Sequence, residues 1–559
     1  MDVNNTALSS NSSVSTDCLD CLSELTGWTP TDRTRGSIEI LWSCCITILL
    51  CCWVSTFPNI TSPNDKWYHA FIDKCNLACI GFLGPDYLFA IALGQLSSAW
   101  RSVKAFMDLP RVSQGREWTL VHGFFADMGG FTLVSPDYPP FPVNAEQLHY
   151  LVKHGHVDFP DITKDDIKAM SKTDSLSKLI VLWQVLWFSA SELERARQGF
   201  PMTTFELTAL SFALTMVVTS LCWYAKPTIA RSMTIQTKGG KTIESIRKEA
   251  RESTHPGLPE EWYRTPLDFI SPYRRFILDV HWSYYEQLTY MVHLPFFSRK
   301  MTSRPWDRLP SEAYLVIEPA LLVPATAVAA GFSLSPLFAW NFHFPTHAER
   351  LAWRICSVYH AVFSLLISGY YVWSVLRLER RISENGVAKT ALAPRGGERG
   401  MSPPAAADGG RDTPGTDSSG GAKPPQQKIN VATTPERPVA AAGGTGASST
   451  NDAVTRDLEA GPLGPDQAAA AAAVAVDGKG DRLDRMVRQT AAWLRSWRNI
   501  SPDGDPDMAI GLRATFFPLV GTFLYIFCRA FFYIEDFIAI REQPVGVYVA
   551  MNKFIPFMQ

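Results

Sequence analysis

Four stretches of the chain are apolar without a single charge: residues 40–57, 207–225, 319–340 and 355–376, which are 18, 19, 22 and 22 residues long. A helix crossing the hydrocarbon layer needs about 20 such residues, and a soluble core helix of that length would keep a polar face. All four are predicted as membrane spans, with Trp53, Trp223, Tyr224, Trp340 and Trp373 as interfacial anchors. Two more stretches read as spans that tolerate a charge. Residues 179–191 are extended by the snorkelling of Lys178 and Glu192, and residues 514–534 contain Arg529. A further stretch, 77–95, holds Asp86 at its middle, beside Gly81, Gly84, Pro85 and Gly94.

Loop charges set the expected orientation, because Lys and Arg near span ends stay cytoplasmic. Basic residues flank the loops after Trp100 (Arg101, Lys104, Arg111, Arg116), after Tyr224 (Lys226, Arg231) and after the fourth clear stretch (Arg377, Arg380, Arg381). The N-terminal tail is acidic and carries glycosylation sequons at Asn4 and Asn11, which point to the opposite side. Both assignments hold together if the Asp86 segment is a re-entrant, Gly-Pro-broken hairpin, a form tolerated at membrane depth where protein shields it. The predicted fold is an α-helical polytopic membrane protein with six spans plus this re-entrant segment. The alternative is seven spans with a cytoplasmic N-terminus.

Between 391 and 480 there is no aromatic residue in 90, against 12% over the whole chain, so this part cannot bury enough apolar surface to order itself. It reads as a disordered linker, most simply a tether. After it, Leu483, Met486, Val487, Leu494 and Trp497 recur at helical spacing, with Arg485, Arg488, Arg495 and Arg498 among the basic residues mostly off that face. That pattern predicts a basic amphipathic helix on an anionic leaflet, with packing on the protein itself as the plainer reading.

The expected organisation is as follows: an N-terminal tail, 1–36; the first span and the re-entrant or second span, 37–100; a small cytoplasmic α+β insertion of a hairpin and short helices, 101–176; two spans, 177–225; and a cytoplasmic loop with an aromatic, interfacial helix, 226–312. Two spans follow at 313–377, then the disordered linker at 378–481, the amphipathic helix at 482–500, and the last span and tail at 511–559.

Composition narrows the partners. Charged residues make up 19% and apolar ones 46% of 559 residues, too few charges for a soluble protein of this size. A net charge of -2 excludes a bulk polyelectrolyte partner, so the lipid bilayer is expected as the main partner and nucleic acid is not. Eleven cysteines do not form a secreted disulfide framework, since Cys44, Cys45, Cys51 and Cys52 lie inside the first span. Cys18 and Cys21 form a lone CxxC without a zinc partner. Cys51 and Cys52 read as small packing residues, with acylation as the alternative.

In the insertion, residues 118–134 alternate β-formers around Asp127-Met128-Gly129-Gly130, which predicts a hairpin pairing 118–126 with 131–134. Asn144 with Gln147 has capping-box spacing for a helix through Lys153 that Gly155 ends, and Thr163 with Asp166 starts another. His149, His154 and His156 do not point three rings at one position, so solvated histidines are expected rather than a metal site. No GxSxG, Walker A, GxGxxG or HExxH motif stands in a soluble segment, so no catalytic residue and no cofactor is assigned. What remains is intramembrane: Asp86, His360, Arg529 and Asp536. An ionisable group at that depth costs roughly 2.5 to 3.5 kcal/mol by insertion scales and so faces a partner or a cavity.

Several strings carry a resemblance: Arg35-Gly36-Ser37 leading into Ile40-Leu41-Trp42, His122 through Gly130, Gln147 through Val152, Ser171-Lys172, Gln198 through Pro201, and the tail from Arg529 to Tyr548. With these the chain resembles a broad group of uncharacterised fungal multi-pass membrane proteins, over most of its length except the linker. The resemblance implies architecture and no activity. The function expected is that of a transporter, channel or receptor-like scaffold, with a membrane-embedded enzyme acting on a lipophilic substrate as the alternative.

Overall fold

The computed structural model describes residues 24–30, 35–109, 116–171, 175–229, 231–253, 255–270, 277–291, 298–311, 316–392, 486, 489–490 and 512–549. Two compact units are present, Met1–Ala388 with Gln489–Gln559, and Lys389–Arg488; the core and the candidate site lie in the first. The expected sequons at Asn4 and Asn11, Cys18 with Cys21, and the arginines 485, 488, 495 and 498 fall outside the described residues.

Helices dominate. After a two-residue strand β1 (Leu25–Thr26), α1 (Ser37–Val54) is the first long apolar helix. Then α2 (His69–Leu83) and α3 (Pro85–Met107) meet at Gly84, where the Gly-Pro pair interrupts the helix as its chemistry requires: proline at the second position removes the amide that would continue α2. Next come α4 (Leu120–Asp127), β2 (Phe131–Val134), β3 (Phe141–Val143), α5 (Ala145–Lys153) and α6 (Lys164–Met170). The bundle resumes with α7 (Ser175–Arg197) and α8 (Thr204–Cys222), leaves again for β4 (Met233–Gln236), α9 (Ile243–Ser253) and α10 (Ile277–Met291), and returns with α11 (Leu322–Phe338), α12 (His347–Leu392) and α13 (Leu512–Ile538), before β5 (Gln543–Pro544).

Among the described residues, five helical segments are long and apolar enough to cross a membrane: Ser37–Val54, Thr204–Cys222, Pro319–Asn341, His347–Ile382 and Phe516–Arg541. They coincide with five of the six expected spans. The sixth, α7, is a 23-residue helix over the predicted stretch, but Glu192, Glu194, Arg195 and Arg197 fill its last turns. The aromatic α10 packs on the bundle, with Trp282 stacked on Tyr87 of α3 at 4.6 Å.

Two expectations need correction. Residues 120–127 form a helix, not the first strand of a hairpin. Thr119 and His122 make a capping box at its start. At its end Gly130 N donates to Phe125 O (2.8 Å) and Gly129 N to Ala126 O (3.0 Å), with Gly129 at φ 87°, so Asp-Met-Gly-Gly is a Schellman helix stop rather than a strand turn. The second correction concerns the linker boundary at 378. It lies inside α12, because Leu378 packs on the bundle core and the following Glu, Arg and Ile are sound helix formers through Leu392. The helices at Asn144 and Thr163 form as expected, each with its capping box, and Gly155 (φ 72°) ends the first.

β2 is the middle strand of a three-stranded sheet. It pairs antiparallel with β3 (Phe131↔Val143) and parallel with β4 (Phe131↔Met233). Residues from both sequence loops, 101–176 and 226–312, thus build one small α+β unit around Phe125, Phe131, Leu133, Phe141, Leu148, Leu151, Ile243 and Ile246. At the other end of the bundle β1 pairs antiparallel with β5, Leu25↔Pro544.

Candidate functional site

The helix break at Gly84 sets the position of Asp86. Both outer ends of the α2–α3 pair lie at the end of the bundle that carries the α+β unit. Arg299 bridges Asp65 and Asp73 before and within α2 (2.8 and 2.6 Å), Phe71 packs on Trp53 at the end of α1 (5.7 Å), and Lys104 of α3 bridges Glu318 (2.9 Å). The tip lies far from that end, among the middles of α8, α11, α12 and α13. There Phe82 stacks on Tyr533 (4.5 Å), the Tyr533 hydroxyl donates to Phe82 O, and the Tyr525 hydroxyl donates to Asp86 Oδ1 (3.3 Å).

Three of the four intramembrane residues singled out from sequence converge at this tip. His360 of α12 is fully buried, stacks on the Tyr525 ring at 4.8 Å and lies with Nδ1 3.0 Å from Ser333 O. Arg529, 2% exposed, donates through Nη2 to the Tyr533 hydroxyl (2.7 Å), and its guanidinium lies over the rings of Phe332 (4.9 Å), Tyr533 (5.0 Å) and Phe212 (5.4 Å). Stacking of this kind stabilises a desolvated cation by about 2 kcal/mol. Asp86 and Arg529 make no ion pair within 4 Å; Tyr525 bonds the first and Tyr533 the second. Asp86 also occupies the first turn of α3, where the N-terminal amides favour a negative charge. Arg529 Nε and His360 Nε2 are buried without a hydrogen-bond partner among the described residues.

Asp536 does not join the tip. It is fully buried about two turns further along α13, beside the hydroxyls of Thr204 and Thr208, with neither carboxylate oxygen within hydrogen-bond geometry of a partner among the described residues. The tyrosines were missed in the sequence, although Tyr525, Arg529 and Tyr533 recur at i, i+4, i+8 and so share one face of α13.

Two further polar nodes bracket the bundle. Next to the α+β unit the buried Lys226 ammonium donates to Phe57 O (2.6 Å), Gln95 Oε1 (2.8 Å) and Asn59 Oδ1 (3.0 Å), all neutral oxygens, and burial lowers its pKa to about 7. Asp127, whose Oδ1 accepts from Ala145 N (3.0 Å), is pushed up to about 7 by burial. At the far end Arg35 pairs with Glu192 (3.1 Å) and Glu206, while Arg195 donates to Val547 O and Val549 O (both 2.9 Å).

The histidines of the unit are not all solvated as expected, since His122 and His156 are buried while His154 is exposed. His122 Nε2 lies 3.1 Å from Ile162 O, His149 packs edge-on to Phe106 (5.1 Å), and His154 stacks with His156 (6.0 Å). Burial lowers the pKa of His122, His149 and His156. Among the described residues no group of three His, Cys, Asp or Glu side chains is arranged to hold a metal ion.

Residues 13–246 match a family of unknown function (DUF8562). The matched segment contains Asp86 and the Gly84-Pro85 helix break, Asp127, Lys226 and the far-end residues from Arg35 to Glu206, but not His360, Arg529 or Asp536. No curated protein and no solved structure matches the chain.

Proposed function

We propose that the chain is a polytopic membrane protein in which α1, α7, α8, α11, α12 and α13 span the bilayer around the re-entrant pair α2–α3, and that it conducts or transports a proton, small ion or small polar solute. The observation that carries this reading is Asp86 at the tip of a Gly-Pro-broken helix pair, hydrogen-bonded to Tyr525 beside Arg529 and His360. Broken helices that end at mid-depth are a recurrent way of presenting dipoles and ionisable groups to a transported species. A fully apolar bundle would fold at lower cost, so the retained charges point to a task. The basic segment with Arg485, Arg488, Arg495 and Arg498 lies on an anionic leaflet in this reading, and the architecture is that of the fungal membrane proteins the sequence resembles.

The test is flux. Purified protein is reconstituted into liposomes and flux of protons, alkali cations and small polar solutes is measured beside an Asp86→Asn variant, with metabolite profiles of cells carrying each form. Flux lost in the variant with unchanged metabolites supports the proposal. A precursor that accumulates without any flux change makes the protein an enzyme, and a variant equal to wild type in flux, metabolites and folding makes Asp86 a structural helix-end carboxylate.

A further inference from the structure

A cleft of about 1020 Å³ runs between α8 and α11 from the end of the bundle that holds β1 and β5. Its long wall extends from Leu207 to Val218 on α8 and faces Val328, Gly331, Phe332 and Ser335 of α11. Eleven residues of helix span about 16 Å, close to half of the roughly 30 Å hydrocarbon layer. The cleft therefore covers the depth of one leaflet.

The walls offer a ligand almost nothing polar. Ser211, Thr215 and Ser335 line the cleft, but each hydroxyl donates back to a carbonyl of its own helix, Thr208 O, Ser211 O and Phe332 O (2.8, 2.9 and 2.7 Å). The rim residues Leu193, Leu214 and Phe338 are exposed. Polarity is confined to one end, where His343, Arg350 and Gln543 line the mouth. His343 Nε2 and Arg350 Nε are both buried and lack a hydrogen-bond partner among the described residues. Of the nearby carboxylates, Glu349 is bridged to Arg541 (2.6 Å) and Glu542 lies by His343, and Arg350 makes no ion pair among the described residues. Buried donors without an acceptor are costly, and an anionic oxygen would satisfy both.

We propose that this cleft binds an anionic glycerophospholipid, with an acyl chain along α8 and α11 and its phosphate at Arg350 and His343. The inference rests on the membrane reading given above. One consequence follows from the back wall: Phe332 has its ring against the Arg529 guanidinium at 4.9 Å, so a chain in the cleft touches the residue that flanks the Asp86 cluster. Lipid occupancy and the state of the cluster are thereby in contact.

Gly331 supplies the test. A Cβ there would meet no atom within 4 Å, so the position has room to start a side chain and Gly331→Leu places one in the cleft. Full-length protein is placed in phosphatidylcholine vesicles containing spin-labelled phosphatidylglycerol, and the motionally restricted lipid is measured for wild type, Gly331→Leu and Arg350→Gln. The expected result is a several-fold loss of restricted phosphatidylglycerol in Gly331→Leu, and in Arg350→Gln a loss of preference over spin-labelled phosphatidylcholine with total lipid retained. Equal restriction in all three proteins overturns the proposal, as does wild-type binding without preference for the anionic headgroup, which would assign the cleft to a neutral lipid. Should Gly331→Leu unfold, the Arg350→Gln preference decides alone. Failure of the membrane reading shows separately, as protein released from membranes by alkaline carbonate.

Discussion

At the scale of single residues, the buried ionisable groups outside the spans have the clearest consequences. Asp127 keeps a proton in the folded protein up to about pH 7, whereas its ordinary value is 3.8. Between those values the folded state binds more protons than the unfolded one, so the contribution of Asp127 is complete below pH 3.8 and is lost as pH rises through about 7. Lys226 works in the opposite direction. Its folded value of about 7 lies below 10.5, so its contribution is complete above pH 10.5 and is lost as pH falls through about 7. Thermal unfolding of the detergent-solubilised protein should therefore show a stability loss between about pH 4 and pH 7 that is smaller in Asp127→Asn, since asparagine keeps the Oδ1 acceptor for Ala145 N. Identical slopes in the two proteins would show that burial does not hold the proton on Asp127. Lys226→Met should lower the unfolding midpoint at neutral pH, because three neutral oxygens lose their common donor at about 1–3 kcal/mol each. An unchanged midpoint would mean that Phe57 O, Asn59 and Gln95 find other partners.

Among the elements, close approach of helices replaces large side chains at the join between the bundle and the α+β unit. A Cβ on Gly123 of α4 would lie 2.9 Å from the Ala99 backbone on α3 and 2.7 Å from Ser102 Oγ. Gly123→Ala should therefore destabilise by about 1–3 kcal/mol through overpacking, while Gly331→Ala, in open space, should be silent. Equal unfolding midpoints for the two variants would contradict the packing described for α3 and α4. Such contacts also mark the limit of what the sequence discloses. Capping boxes at Asn144–Gln147 and Thr163–Asp166 were legible because the signal and the structure lie within four residues. Uninterrupted apolar runs gave the long helices for the same reason. The alternation of β-formers from Trp118 to Ala126 suits a strand, yet the Thr119–His122 capping spacing and the Gly129-Gly130 stop belong to a helix. The partner of β2 lies a hundred residues away in β4, across two membrane-length helices, and no local pattern announces that pairing. In the candidate site, charge at depth singled out Asp86, His360 and Arg529. Their meeting through Tyr525 and Tyr533 depends on tertiary packing between segments more than 150 residues apart, which period and composition do not encode.

For the whole molecule, the two ends of the bundle are built from different parts of the chain, and this gives the topology a physical test. One end gathers the α+β unit with Lys226, Arg101 and Lys104; the other gathers β1, β5, Arg35 and Arg195. Because β2 and β4 share a sheet, the loops around Lys104 and Lys238 must lie on one side of a bilayer whatever the number of spans. Because β1 pairs with β5, both tails must lie together. In the proposed reading the basic flanks put the first side in the cytoplasm, and the sequons at Asn4 and Asn11 put the second in the lumen or exterior. In sealed vesicles with the cytoplasmic face outward, protease should cleave between 393 and 485 while an epitope before Asn4 stays protected, and N-glycosidase should shift only protein from opened vesicles. Seven spans predict a different outcome, since the Asp86 helix pair would then cross and place the N-terminal epitope on the same side as the loop at Lys104. That arrangement would require β1 to leave β5, breaking the Leu25–Pro544 register and the Arg35 pairs with Glu192 and Glu206. A protected linker, or an exposed N-terminal epitope in intact vesicles, would overturn the six-span arrangement and with it the re-entrant position of Asp86.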